Sequence, residues 1–113
     1  MKYFTIDEFN CTHTGNNKMC PEFLSKLDEL RGACAFPFTV TSGYRDKTHP
    51  NEIEKPRGGT HTQGIAADIK VSSGVERRLI VEKAIELGFN GVGIAHNFVH
   101  VDTRKGVEVL WVY

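Results

Sequence analysis

Apolar residues recur at three- and four-residue steps in two stretches of this chain and alternate with polar ones in several others. Phe23, Leu24, Leu27 and Leu30 make one apolar face, which predicts a helix. Pro21 suits its first position, Glu22 puts negative charge at its positive end, and Gly32 lies near its stop. A second helix is expected behind a cap at Ser72 or Ser73, with Val75, Leu79, Ile80, Ala84 and Leu87 inward and Gly88 ending it. Phe38 to Ser42 alternates like a half-buried strand, and Ile65 to Val71 is nearly all apolar apart from Asp68 and Lys70. Three more strands are expected at Gly91–Ala95, Phe98–Thr103 and Val107–Val112, with Lys105-Gly106 as a tight turn between the last two. Tyr3 to Gly15 reads as an ordered arm anchored by Phe4 and Phe9, and Asp46 to Gly59, with Pro50, Pro56 and two adjacent glycines, as a long loop. The short links near the end favour a small, mainly antiparallel sheet with helices against one face. The expected fold is α+β, one domain over residues 1–113.

Size and charge narrow the classes. A chain of 113 residues has room for one core. Its 14 basic and 14 acidic residues balance, so no net field favours nucleic acid or a membrane surface. No apolar run approaches the roughly 20 residues of a membrane span, and the opening Met1-Lys2-Tyr3-Phe4 lacks a signal peptide's apolar stretch. Synthesis in a cytoplasm and a monomeric state are the expectations. Cys11, Cys20 and Cys34 are an odd set, which rules out a complete disulfide framework. They read as reduced, partly buried thiols; the alternatives are a Cys11–Cys20 pair, or both binding a metal with His13.

The chemistry concentrates between Thr60 and Asp102. Asp68 interrupts an apolar strand, where a carboxylate costs free energy unless something positive meets it. His100 stands between Val99 and Val101, so its strand neighbours point the other way. His61 follows the Gly58-Gly59 loop and is free to reach the same point. A divalent cation would satisfy all three, whereas separately each is an ordinary buried polar residue with a hydrogen-bond partner. Two imidazoles and a carboxylate leave one corner of a zinc tetrahedron open, the coordination of a catalytic rather than a structural site, and so of a hydrolase.

Three blocks in order, Ser42-Gly43-Tyr44-Arg45, Thr60-His61-Thr62-Gln63-Gly64-Ile65-Ala66-Ala67-Asp68 and Phe98-Val99-His100-Val101-Asp102, resemble the zinc D-alanyl-D-alanine peptidases. That family is grouped with lysostaphin-type peptidases and the hedgehog domain. The resemblance spans roughly Phe38 to Arg104. It implies one zinc per chain on His61, Asp68 and His100, with Ser42, Tyr44 and Arg45 as substrate contacts. A guanidinium at Arg45 suits a peptide's terminal carboxylate or the oxyanion of the transition state. It further implies peptidoglycan or D-alanine-containing peptides as partners, and action at a cell wall or in a periplasm, since small members occur in bacteriophages as endolysins and in cell-wall enzymes.

One position departs from the family. Where its members carry a glutamate general base, three residues before the last histidine, this chain has Asn97. An unbroken strand through His96 and His100 would put both imidazoles on one face, so His96 is the first candidate for the base. Asp102 follows, as a base or as a residue orienting a ligand, and then Glu52 and His49 in the long loop. The leading expectation is a zinc carboxypeptidase or endopeptidase; the alternative is a non-catalytic zinc-containing binding module of the same fold. A thiol enzyme built on Cys34 or Cys20 is a third, weaker reading, because no cysteine has an obvious base beside it.

Overall fold

The computed structural model describes residues 1–53 and 59–113. The part of the expected loop holding Pro56 and Gly58 lies outside the described residues. The elements are α1 (Pro21–Cys34), β1 (Val40–Ser42), β2 (Ala66–Lys70), α2 (Gly74–Glu86), β3 (Gly91–Ile94), β4 (Phe98–Asp102) and β5 (Val109–Val112), preceded by a single 3-10 turn at Ile6–Phe9.

Helix α1 begins at Pro21 as its sequence predicts but runs two residues past Gly32. Gly32 is a packing position rather than a stop: a Cβ there would lie 3.3 Å from the Tyr3 ring, which the Arg31 guanidinium also covers, 4.4 Å from the ring centre. Helix α2 is capped by Ser73, whose side chain accepts from the Glu76 amide. Its inward face is Ile80 and Ala84, with Leu79 and Leu87 half-buried against the core. Val75, expected inward, is 73% exposed because it stands in the first turn, before the helix meets the sheet.

The sheet order is β1-β2-β4-β3-β5, and every pairing is antiparallel except β3 with β5. The expected hairpin between the last two strands does not form. Strand β4 already has β2 on one edge and β3 on the other, so it has no edge left to offer. The chain after Asp102 instead crosses to the far side of β3 and pairs with it in parallel. Gly106, at φ +97°, takes a backbone conformation closed to most residues within that crossover. Asn90 fastens it at both ends, donating from its side chain to the Arg104 carbonyl (2.8 Å) and accepting from the Val109 amide (2.8 Å).

Alternation along β2, β3 and β4 sends Ala67, Ile69, Val92, Val99 and Val101 into the core with Phe23, Leu27, Leu30 and Ile80. Each fully buried large apolar side chain contributes about 1.5–3 kcal/mol relative to leaving it in water. The N-terminal arm joins the core through Phe4 and Phe9, whose rings meet edge to face at 5.5 Å. The same alternation assigns Asp68, His100 and Asp102 to the opposite face.

Candidate metal centre

A row of residues crosses that face in register. Ser42 pairs with Asp68, Asp68 with His100, His100 with Gly93, and Gly93 with Trp111. His61 reaches the row from the tight turn over residues 59–64. The turn's reversal depends on Gly64, at φ +74°, where a Cβ would also strike the Lys18 carbonyl at 2.2 Å. Glu52 braces it from the long loop, accepting from the Gly59 amide (2.7 Å) and the Thr62 hydroxyl (2.9 Å).

His61, Asp68 and His100 are each at most 5% exposed, and their ligand atoms all lie within 4.8 Å of one another. Asp68 Oδ1 stands 3.3 Å from His61 Nε2 and 3.0 Å from His100 Nδ1. A tetrahedral zinc with bonds of about 2.0–2.1 Å has ligand atoms about 3.4 Å apart, so the spacing fits. The outward nitrogens are committed as well. His61 Nδ1–H donates to the Gly43 carbonyl at 2.8 Å, leaving Nε2 for a metal. His100 Nε2–H donates to Asp102 at 2.7 Å, leaving Nδ1. A ligating histidine whose second nitrogen is held by a carboxylate or carbonyl has its tautomer and ring orientation set in advance.

Charges on these groups are mutually adapted. Burial works against the Asp68 carboxylate, but hydrogen bonds from His100 and His61 and their nearby charge hold it well below the usual carboxylate range. Asp102 is likewise buried and likewise held low, by His100 and by Arg104, whose Nε and Nη2 grip it at 2.9 and 2.7 Å. For His100, burial favours the neutral ring, and the two carboxylates at its nitrogens outweigh that and raise its pKa.

A cleft of about 840 Å³ opens over the row, and Ser42 and Arg45 line it together with the three ligands. Arg45 Nε donates to the Ser42 hydroxyl at 3.1 Å. Its guanidinium lies 3.5 Å from Asp68 Oδ2 and 3.7 Å from Glu52 Oε2, so it is aimed at the ligand cluster with Ser42 as its brace. Tyr44 is elsewhere: it is 5% exposed and packed in the core, because strand β1 ends at Ser42 and the chain turns at Gly43, so that alternation no longer holds and Arg45 joins Ser42 at the cleft.

His96 does not share a strand face with His100. Strand β4 begins at Phe98, and His96 and Asn97 form the exposed bend after β3, with the His96 carbonyl accepting from Arg77. Neither lines the cleft. Asp102 is fully buried, accepts from His100 Nε2 at 2.7 Å and does not line the cleft. Glu52 is occupied with the 59–62 turn, and the His49 ring packs against His13 at 6.0 Å. Among the described residues, the cleft therefore holds no carboxylate or imidazole beyond the three ligands.

All three cysteines are free thiols, Cys11 and Cys34 buried. None lines the cleft, and burial pushes the Cys34 thiol up to about 11, the reverse of what a nucleophile needs. Among the site residues that sequence reasoning missed are Phe98, Arg104, Trp111 and Tyr113, which also line the cleft. Trp111 sits on β5 and Tyr113 directly follows it, and no local pattern reveals that strand's place beside β3.

A buried two-histidine, one-carboxylate cluster on the open face of a small α+β sheet, beneath a cleft with an arginine at its wall, is the arrangement of a site that could hold a zinc-type metal ion. The sequence profile of the family described as Peptidase M15 matches residues 2–102. The chain belongs to that family, zinc peptidases of the D-Ala-D-Ala carboxypeptidase type. No curated protein matches the chain significantly. Among the described residues, no helix is long and apolar enough to cross a membrane.

Proposed function

We propose that this chain is a monomeric zinc peptidase that hydrolyses peptide bonds of peptidoglycan stem peptides, or of other peptides ending in D-alanine, at the cell wall. One zinc per chain is held by His61 Nε2, an Asp68 oxygen and His100 Nδ1. The observation that carries the reading is the convergence of those atoms at metal-ligand spacing, with both histidine tautomers already set. When bound, zinc supplies Lewis-acid polarisation of a carbonyl and brings the pKa of a water toward neutrality. Arg45 takes the substrate's terminal carboxylate or the negative charge that develops on the attacked carbonyl. Ser42 holds the Arg45 fork in the cleft, and Asp102, gripped by Arg104, keeps His100 oriented.

A second reading is a zinc-containing binding module of the same fold. It is favoured by Asn97 at the family's base position, and by a cleft without a further carboxylate or imidazole among the described residues. The test is incubation of the zinc-loaded protein with D-Ala-D-Ala dipeptide and with muropeptides, with products identified by mass spectrometry. Release of D-alanine supports a carboxypeptidase, and internal fragments an endopeptidase. Retention of intact muropeptide without turnover selects the binding module.

A further inference from the structure

Gly93 stands in the middle of a strand, where glycine weakens the sheet and leaves a gap between its neighbours. On this face its neighbours are His100 on β4 and Trp111 on β5. A Cβ at position 93 would lie 2.6 Å from Trp111 Cε2 and 2.7 Å from Cζ2 and Nε1, so the indole lies across the gap. It reaches the His100 ring, the two centroids 5.1 Å apart and the planes at 51°. The Arg104 guanidinium covers the indole at 5.0 Å from its centroid, and the same guanidinium grips Asp102, which accepts from His100. The contacts close a circuit: His100, Asp102, Arg104, Trp111 and back to His100.

We propose that Trp111 is a positioning residue for the ligand His100, and that Gly93 is the seat that admits it. The inference rests on the metal-centre reading of His100. Hydrogen bonds fix where the two imidazole nitrogens point, and the indole restricts the tilt of the ring between them. Without it the gap over Gly93 opens, and His100 gains freedom that metal binding must then remove. Strand β5, which lies beyond the residues matched by the family, is by this inference a working part of the metal centre.

The experiment measures zinc affinity by competition with a chromophoric chelator, together with the melting temperature of the metal-free protein. The proteins are the wild type, Trp111→Leu, Trp111→Phe, Gly93→Ala and the double variant Gly93→Ala/Trp111→Leu. Loss of an outer partner of a metal ligand typically lowers affinity about 10- to 100-fold, and Trp111→Leu is expected in that range. Trp111→Phe, which keeps a ring over the gap, recovers most of it. Gly93→Ala weakens zinc by displacing the indole, and adds nothing in the Trp111→Leu background, where no ring is left to displace. Cobalt in place of zinc shows an altered visible spectrum in Trp111→Leu, a change in the ligand field that loss of fold stability alone does not produce. Wild-type affinity in Trp111→Leu overturns the proposal, as does full additivity of the two substitutions; should Trp111→Leu not fold, Gly93→Ala and Trp111→Phe decide alone, and wild-type affinity in both overturns it. A wild type that binds no zinc overturns the metal-centre reading itself, a result distinct from the others.

Discussion

His100 has a carboxylate at each nitrogen, Asp68 at 3.0 Å and Asp102 at 2.7 Å, and that placement has opposite consequences without and with metal. In the metal-free protein its raised pKa stabilises the fold below its unfolded value of about 6.5. That contribution is lost as pH rises through the higher folded value. Asp68 and Asp102, held low in the fold, contribute above their unfolded value of about 3.9 and lose that contribution as pH falls below it. Zinc reverses the histidine's sign, because a ligand must give up its proton before it binds. The gain in melting temperature on adding saturating zinc is therefore expected to grow from pH 5.5 to about pH 8. Differential scanning fluorimetry across that range checks it, and a zinc effect independent of pH would exclude histidine ligation. Asp68 and His100 were legible because each is a polar interruption of an apolar strand, whereas His61, between Thr60 and Thr62, was marked only by its place after the Gly58-Gly59 loop and by the family resemblance. Tyr44 was not, since its fate depends on which way the chain turns at Gly43.

At the scale of the element, two glycines on β3 shape the centre more than any side chain of that strand. Gly93 makes room for Trp111, while Gly91 makes room for Asp102, whose carboxylate oxygens would lie 2.2 and 2.3 Å from a Cβ at position 91. Strand backbone cannot retreat, so Gly91→Ala is expected to push Asp102 off both His100 and Arg104. Overpacking of this kind costs about 1–3 kcal/mol, which urea unfolding of the metal-free variant measures. An unchanged midpoint would mean that the carboxylate has another place to go. Alternation identified β2, β3 and β4 correctly but overran at His96, because period two carries no mark of where a bend begins. The partner of β5 was illegible for a different reason. Whether β4 has a free edge depends on β2 and β3 both being seated, and a two-residue turn signal at Lys105-Gly106 contains nothing about either.

The whole molecule is a division of labour between the two faces of one sheet. One face packs on α1 and α2 and carries the apolar core; the other carries the polar row and opens to the cleft. The cysteines belong with the packed side: Cys11 and Cys34 are buried in the core, and Cys20, partly exposed, points its thiol at Glu22 at 2.9 Å. This separation predicts how chelation and thiol modification will differ. Removing zinc takes away a ligand that binds only the folded state, worth about 2.7 kcal/mol when free zinc stands at 100 times its dissociation constant. A chelator is thus expected to lower the melting temperature and to abolish any hydrolysis of D-Ala-D-Ala peptides, both recovered by added zinc. Alkylation under native conditions is expected to reach Cys20 and spare Cys11 and Cys34, leaving zinc content and turnover within error of the untreated protein. Mass spectrometry of the alkylated protein, with zinc analysis and an activity assay, makes the comparison. Turnover that survives chelation but is lost on alkylation would move the chemistry from the open face of the sheet to its packed one, and the metal-centre reading would fail with it.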